Sequence, residues 1–453
     1  MNGCKDLKAS NRNSSALPSQ TPKERKTIFI LSRLVCRVPA SPVPHLRRHP
    51  AFRLWWLALG VSNIGTWMQV IGISLLALRL PGSPARNLGT VSLVQAIAFG
   101  LFSLGGGVIT DRSTPRQVLL VTQPLGLLLA LGFGVLLARH PPTLLLLAGF
   151  AFLSAVVASV DGPARAALLP TLVPDELVMR AGAMLTLGVN VASTAGPLLA
   201  GWVAGHFGLP AVFFLNAASF TGVIVVLARH AKDPATSHGS SGTSPWAAML
   251  EGLAVVREDV LLRSALLSYG ALLVFGPSPS FILPLFGQKI LGLHQGQLGV
   301  LFAAVGVGTI LGALGGVASR GDGQEGRFFT VGLTVWAAAL TAFAWSGTLL
   351  WAIVALTILG AARSVVGTSA TAILQRHAPE EQRGRVMSLN TLILNGGRPV
   401  GDALLALLAA WLPLTLLVTG CAAAVGLTGW GLSRHLHPTE SAEDSLNAPD
   451  RSG

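Results

Sequence analysis

Three charged residues lie inside apolar segments of this chain. Arg398 and Asp402 are four residues apart and therefore share one face of a predicted helix, and Arg363 lies in the apolar segment before it. A charge at the bilayer centre costs about 2.5–3.5 kcal/mol on insertion scales, so such residues normally face a cavity or a partner. Asp402 can bind and release a proton, either arginine can hold an anionic ligand, or Arg398 and Asp402 can form a structural ion pair. The sequence leaves these three interpretations open.

The composition places these residues in a membrane. Hydrophobic residues make up 51% of the chain and charged residues only 11%, whereas a soluble domain carries about 25% charge. About 20 apolar residues are needed to cross a hydrocarbon core about 30 Å thick. We therefore expect an all-α membrane protein with twelve transmembrane helices. The predicted spans are residues 54–78, 89–109, 117–138, 143–161, 181–204, 209–228, 264–289, 296–318, 328–346, 349–373, 387–409 and 411–432.

The net charge of +13 is distributed as in a membrane protein. Of the 32 Lys and Arg residues, 11 lie in residues 1–53, and most of the others fall in alternate loops. Cytoplasmic loops of membrane proteins carry such an excess of positive charge. The pattern predicts a multi-pass protein of the cytoplasmic membrane with both termini in the cytoplasm, and it argues against nucleic acid as a partner.

The chain is predicted to contain two repeated halves. Pro174 with its following acidic pair matches Pro379 at an offset of 205 residues (379 − 174), and Arg53 matches Arg263 at an offset of 210 (263 − 53). Parallel repeats of this kind occur in transporters whose binding site lies between the halves. The expected organisation is a basic, mostly disordered cytoplasmic tail (1–50), an N-terminal six-helix bundle (51–228), a cytoplasmic linker (229–262), a C-terminal six-helix bundle (263–432) and a disordered tail (433–453).

A charged turn follows the second predicted span. Its characteristic residues are Gly107, Asp111, Arg112 and Arg116. We expect an ion pair between Asp161, at the predicted cytoplasmic end of span four, and Arg112 or Arg116. Such a cluster can stabilise one of two conformations and break in the other. The alternative is an ordinary charged turn that only fixes the topology.

Five motifs of the sequence belong together: residues 49–55, the Asp111 turn, residues 161–170, residues 283–286 and residues 381–386. Together they resemble the major facilitator superfamily over residues 48–433. Within it, the chain is most similar to the bacterial branch that includes the enterobactin exporter and macrolide-efflux proteins. The resemblance implies two pseudo-symmetric six-helix bundles that rock about a midplane site, and a cytoplasmic gate to which Arg165, Arg383 and Arg385 also belong. One departure is Thr66, which stands where an acidic residue often follows the glycine of span one.

Small residues recur at every fourth position on two predicted spans, which allows helices to approach closely. The resemblance implies that these two spans meet between the halves as sliding surfaces, and Gly196–Gly201 also resembles an antiporter motif; generic helix packing is the alternative. The packing candidates are Gly188, Gly196, Pro197 and Gly201 on span five and Gly308, Gly312 and Gly316 on span eight.

Polar residues in the spans are candidates for lining a substrate cavity: Gln69, Gln95 and Asn190. Span seven contains Gly276, Pro277 and Pro279 close together, which predicts a broken helix. Broken helices are common near the midplane sites of transporters. A simple kink would have the same sequence signal.

The resemblance and the residues together predict secondary active transport, with proton-coupled export of an amphipathic small molecule (a drug, macrolide or siderophore) by alternating access. The alternatives are a facilitator or importer, or a transport-inactive membrane sensor or scaffold. No P-loop, His-Glu-x-x-His or Gly-x-Ser-x-Gly motif is present, so no enzyme activity is expected. We expect no cofactor or metal, a monomer, and the substrate, protons and the lipid bilayer as partners.

Overall fold

The computed structural model describes residues 49–230, 245–318, 325–379, 382–409 and 411–436, and within these ranges it contains helices and no strand. The two predicted tails lie almost wholly outside the described residues, as does 231–244 of the linker. The helices are α1 (Pro50–Arg79), α2 (Pro84–Arg112), α3 (Pro115–Arg139), α4 (Leu144–Leu172), α5 (Asp175–His206), α6 (Leu209–His230), α7 (Pro245–Glu258), α8 (Val260–Phe275), α9 (Pro279–Lys289), α10 (Gln295–Ala318), α11 (Glu325–Ala344), α12 (Leu349–His377), α13 (Arg383–Leu408) and α14 (Leu414–Leu436).

Ten helical stretches of the described chain are long and apolar enough to cross a membrane, with α8 and α9 counted as one broken span. Helices α2 and α13, with 29 and 26 residues, also have membrane-spanning length. Helix α13 is more polar because Arg398 and Asp402 lie within it. The structure therefore contains the twelve transmembrane helices that the sequence predicts, and α7 is a separate helix of the linker.

Local sequence explains where the helices begin. Proline stands in the first turn of α1, α2, α3 and α9, where its missing N–H has no intrahelical acceptor to lose. Thr114 and Gln117 form a capping box at the start of α3. Asp259 accepts hydrogen bonds from the backbone N–H groups of Leu261 and Leu262, so it ends the linker helix α7 and starts α8.

The helices pack as two six-helix bundles with the same arrangement. Four pairs of helices that pack together in the first bundle have counterparts in the second bundle, six membrane spans later in the chain. The matching pairs are α1–α6 with α8–α14, α3–α6 with α11–α14, α2–α4 with α10–α12, and α1–α5 with α8–α13. Helices α4 and α12 end at Leu172 and His377, an offset of 205 residues (377 − 172), which equals one of the two repeat offsets in the sequence.

The two bundles meet along α2 with α13, α5 with α10, and α9 with α1 and α2. We call the membrane side where α1 begins and α7 lies the linker side, and the side where α1 ends and α2 begins the far side. Several close contacts between the bundles are near the far side: Gly89 faces Ala406, and Gly299 faces Pro197 and Leu198. Glycine is required at Gly89, since an added Cβ would overlap the Ala406 methyl group.

The outer surface of the bundles is apolar, as a lipid environment requires. Four of the five exposed tryptophans among the described side chains lie at or beside far-side helix ends, where amphipathic rings anchor a protein at the membrane interface. These are Trp202, Trp345, Trp351 and Trp411, the last with 87% of its surface exposed. The fifth, Trp430, is 64% exposed and lies toward the linker-side end of α14.

One predicted span boundary is wrong. Span four was expected to end at Asp161, but α4 continues through Pro163 and Pro170 to Leu172. Asp161 therefore lies 11 residues (172 − 161) before the linker-side end, which is ~16 Å at the helical rise of about 1.5 Å per residue. The sequence predicts the end of the span here because each charged residue by itself disfavours a membrane helix. In the structure Asp161 and Arg165 form an ion pair within one helix, so their charges cancel.

Candidate functional site

The break in the seventh span is built by its own sequence. Helix α8 ends at Phe275, and α9 begins at Pro279 with Ser278 as its N-cap. Gly276 fits against the Trp336 ring, which would lie 3.0 Å from an added Cβ. Because Pro277 and Pro279 have no backbone N–H, a continuous helix would lose hydrogen bonds here. The break exposes the backbone of Ser278 inside the protein.

Asp402 on α13 binds this break. Its Oδ1 accepts a hydrogen bond from the Ser278 backbone N–H at 2.9 Å, and its Oδ2 accepts one from the Ser278 hydroxyl at 2.5 Å. Only 5% of the Asp402 surface is exposed. The two helices approach closely because Gly401 packs against the backbone of Val274, which leaves no room for a side chain. The carboxylate thus clamps the break through both of its oxygens.

The clamp continues to the first bundle. The hydroxyls of Ser278 and Ser280 are 3.0 Å apart and hydrogen-bonded. The Ser74 hydroxyl of α1 lies 2.9 Å from the Ser280 carbonyl oxygen and donates to it. Ser74 is buried and lies five residues (79 − 74) from the far-side end of α1. A chain of polar groups, Asp402–Ser278–Ser280–Ser74, therefore joins α13, the broken span and the opposite bundle.

Two arginines lie near this clamp without a hydrogen bond or ion pair to the described side chains. Arg363 is at the midpoint of α12, 14 residues from each end (363 − 349 and 377 − 363). Arg398 is on α13, and its buried Nε has no hydrogen-bond partner. Both lie within electrostatic range of Tyr269 on α8. The predicted alternative of an Arg398–Asp402 ion pair is not formed in this conformation, since the Asp402 carboxylate binds Ser278 instead.

A second charged cluster lies in the first bundle, and its two charges are paired with each other, although the buried side-chain oxygen of Gln123 beside them has no hydrogen-bond partner. Asp161 forms an ion pair with Arg165 one turn along α4. Its Oδ1 also accepts hydrogen bonds from the Thr122 hydroxyl at 2.8 Å and from Gln123 Nε2 at 2.5 Å. Arg165 donates to the side-chain oxygen of Asn63 on α1 at 3.1 Å. This cluster ties α1, α3 and α4 together in the linker-side half of the bundle.

The ion pair of Asp161 with Arg112 or Arg116 stays a prediction, because the side chain of Arg112 lies outside the described residues. Arg165 occupies the carboxylate, while Arg116 donates through Nε to the Leu227 carbonyl at 3.0 Å, at the end of α6. A cation there also meets the negative end of the helix dipole. The side chains of Gly107, Asp111 and Arg112 lie outside the described residues.

The remaining gate candidates lie at the linker-side end of α13. Arg383 is exposed, and Arg385 forms an ion pair with Glu251 of the linker helix α7 at 2.5 Å. Sequence reasoning did not single out Glu251, which lies on α7 within the predicted linker of residues 229–262. Nor did it identify Ser278, whose only signal was the helix break around it.

The cavity candidates are distributed over the first bundle. Gln69 on α1 accepts a hydrogen bond from Asn216 on α6 at 2.6 Å, so its side chain is engaged within the bundle. Gln95 is half-buried on α2, 11 residues from the far-side end (95 − 84). Arg398 is 10 residues from the far-side end of the neighbouring α13 (408 − 398), so the two residues share one depth. Asn190 is half-buried on α5.

The small residues of span five pack inside the first bundle rather than between the bundles. A Cβ on Gly196 would come within 2.9 Å of the Ile64 carbonyl of α1, and Gly188 faces Trp56 of the same helix. Gly201 is buried on α5. Pro197 is different, since its carbonyl contacts Gly299 of α10.

The small residues of span eight likewise pack inside the second bundle. Gly308 and Gly312 fit against the backbone of Thr357 and Ala361 on α12, and Gly316 lies outside the described side chains. The close approach between α10 and α5 depends instead on Gly299 and on Gly306, which faces Thr194. Spans five and eight meet between the bundles as the resemblance implies, while Gly308 and Gly312 show the generic packing that was the alternative, because a spacing of four residues identifies a helix face and not what covers it.

Comparison with known proteins gives the family. A family model described as a transmembrane secretion effector matches residues 40–450. An uncharacterized MFS-type transporter, y4rN, of Sinorhizobium fredii is 26% identical over 361 residues, covering 73% of this chain and 87% of the relative. The enterobactin exporter EntS of Salmonella typhimurium is 25% identical over 393 residues, covering 85% of this chain and 91% of the exporter.

Solved structures show the same fold. A bacterial homologue of the human lysosomal transporter Spinster, inward-facing and unoccupied, has a TM-score of 0.64 at 13% identity and covers 88% of this chain and 95% of that chain. A bacterial homologue of the iron transporter ferroportin, also inward-facing, has a TM-score of 0.63 at 17% identity, covering 87% and 100%. With a family match over 40–450 and twelve helices in two like bundles, the chain belongs to the major facilitator superfamily, as a multi-pass membrane transporter of the secretion effector family and not an enzyme.

Proposed function

We propose that this transporter is a proton-coupled exporter of amphipathic small molecules that works by alternating access, with the cytoplasm on the linker side. Relatives named as enterobactin exporters, matched over most of both chains, support export. The excess of Lys and Arg in the linker-side segments supports the orientation. The far-side contacts between the bundles are those expected of a carrier that is closed on the far side.

The observation that carries the proposal is the Asp402 clamp. A carboxylate can accept both hydrogen bonds from Ser278, whereas a protonated carboxyl group must use one oxygen as a donor. Protonation therefore weakens the hold of α13 on the broken span. The broken span also accepts a hydrogen bond from Ser74 of the first bundle. Release of the Asp402 clamp therefore also weakens the far-side contact between the bundles.

This arrangement meets the requirement for an exchanger. A carrier that exchanges a proton for a substrate must change conformation when either one is bound. It must not change conformation when neither is bound. The clamp of ionised Asp402 on Ser278 supplies the immobile empty state. Protonation releases the clamp, and a substrate that reaches Arg398, one helical turn away, can disturb it directly.

The linker-side gate remains part of the proposal. When the far side opens, Asp111, Arg112 and Arg116 of the charged turn would approach Arg383 and Arg385 of the second bundle. Asp161 and Arg165 would then stabilise the first bundle rather than form the gate contact. Ion pairs that form in one conformation and break in the other bias the equilibrium between the two states.

The test is substrate-dependent proton movement in everted membrane vesicles with a preformed pH gradient. Lipophilic dyes, macrolides and siderophores would be added to wild type, Asp402→Asn and Asp111→Asn, with the exposed Glu258→Gln as the matched carboxylate-to-amide control. We expect collapse of the gradient in wild type and Glu258→Gln, and its loss in Asp402→Asn because asparagine cannot exchange a proton.

Two results would contradict parts of the proposal. Collapse that survives in Asp402→Asn would keep the exporter and remove Asp402 as the coupling acid. Substrate flux in wild type without any proton movement would establish a facilitator instead. Loss of flux in Asp111→Asn with intact proton binding would support the gate role of the charged turn.

A further inference from the structure

The buried charges of the described chain do not balance. The buried carboxylates are those of Asp161 and Asp402. Asp161 is engaged by Arg165, and Asp402 by the two donors of Ser278. Arg363 and Arg398 thus have no carboxylate of their own within ion-pair distance among the described residues. Among the described residues, the two guanidinium groups therefore share the electrostatic attraction of one carboxylate, Asp402, and one positive charge is left without a matching anion.

The position of the pair restricts what that anion can be. Arg363 is 14 residues from either end of α12, or ~21 Å at about 1.5 Å per residue. Lipid headgroups lie beyond a hydrocarbon half-thickness of about 15 Å, so a phosphate of the bilayer does not reach the midpoint of a span. The anion must therefore be carried in by a molecule that enters the protein.

The surroundings of the pair fit an organic anion. Both arginine side chains are half-buried, so each retains surface that a ligand can contact. Buried Tyr269 lies beside them, and glycine at Gly367 lets the Tyr269 hydroxyl pack closely against α12, since an added Cβ would be 3.2 Å from that hydroxyl. Guanidinium groups bind carboxylates through paired N–H donors, and a low dielectric strengthens such bonds.

We propose that Arg363 and Arg398, with Tyr269 between α8 and α12, bind the anionic group of the transported molecule, so that the cargo is an amphipathic organic anion. This inference rests on the proposed transport function and names its substrate class. The two arginines hold the acidic group near the middle of the membrane-spanning helices α12 and α13. The buried Nε of Arg398 then gains the acceptor that the empty protein does not supply.

The test is equilibrium binding to the purified full-length protein, which does not depend on proton coupling. The probes are a fluorescent diethylaminocoumarin carboxylate and the matching carboxamide, which has the same ring without the charge, and the readout is fluorescence anisotropy. The variants are Arg363→Gln, Arg398→Gln, the charge-retaining Arg398→Lys, and the exposed Arg139→Gln as a matched control.

We expect wild type and Arg139→Gln to bind the carboxylate at least about tenfold more tightly than the carboxamide, because a hydrogen-bonded charge contributes about that factor or more. Each glutamine variant should lose this preference while it still elutes as a monodisperse protein, and Arg398→Lys should retain part of it. Equal binding of the two probes by wild type, or a preference that survives in both glutamine variants, overturns the proposal. Carboxylate preference without proton movement in vesicles would leave the anion site standing and reject the coupling mechanism.

Discussion

The two bundles carry their buried charges in opposite ways. In the first bundle Asp161, Arg165 and their neighbours satisfy one another across three helices. In the described part of the second bundle Arg363 and Arg398 form no ion pair, and Asp402 accepts its hydrogen bonds from a helix break instead of an arginine. Charged groups inside a membrane normally pair with one another or mark the path of a ligand or a proton. We therefore propose that the first cluster stabilises its bundle and that the second takes part in transport.

The largest expected effect comes from breaking the paired cluster. Asp161→Ala leaves Arg165 as an uncompensated buried charge, which should lower the free energy of unfolding by about 3–5 kcal/mol. The measurement is thermal denaturation of the purified protein followed by loss of monodisperse material. Asp161→Asn, which keeps an acceptor for Thr122, should be less severe. Unchanged stability in Asp161→Ala would remove the contrast between the bundles.

The reverse effect is expected in the second bundle. Arg398→Gln removes one of two arginine charges that share the single carboxylate of Asp402, so the substrate-free protein should become more stable by up to about 2.5 kcal/mol. The same denaturation assay without substrate measures it. A destabilisation as large as that of Asp161→Ala would show that Arg398 has a structural partner. The charged clusters of the two bundles would then both stabilise the fold.

The smallest effect tests the clamp. Ser278→Ala removes one of the two donors to Asp402, and a hydrogen bond to a charged group contributes about 1.5 kcal/mol, or roughly tenfold in an equilibrium. Spin labels at exposed Arg139 and Leu350, on the far-side ends of α3 and α12, should report a larger far-open population.

The matched control for the clamp is Ser268→Ala on the same span, since the buried Ser268 hydroxyl has no hydrogen-bond partner. Acidification should increase the far-open population of wild type, because it protonates Asp402, and should have less effect on Ser278→Ala. Equal distance distributions in both serine variants and wild type at every pH would show that the clamp does not hold the far side closed.

Much of the fold could be predicted from sequence, because the length of an apolar segment depends only on consecutive residues. The twelve spans, the repeat offset of 205 residues and the break before Pro279 all follow from residues close together in the chain. The end of span four could not be predicted in the same way. Each of the two charges by itself predicts a loop. Asp161 and Arg165 nevertheless form a neutral ion pair, because they lie one turn apart on a helix.

The sequence by itself determined the membrane class, the two halves and which charges lie inside the bilayer, since each follows from composition and spacing along one segment. Only the tertiary structure decided which of those charges are satisfied. Asp402 is four residues from Arg398, yet it binds Ser278, which is 124 residues away in sequence. The four-residue stripe of α10 likewise meets α12 rather than α5. Helical periodicity fixes which side chains share a face, but the partner opposite that face is set by how whole helices pack.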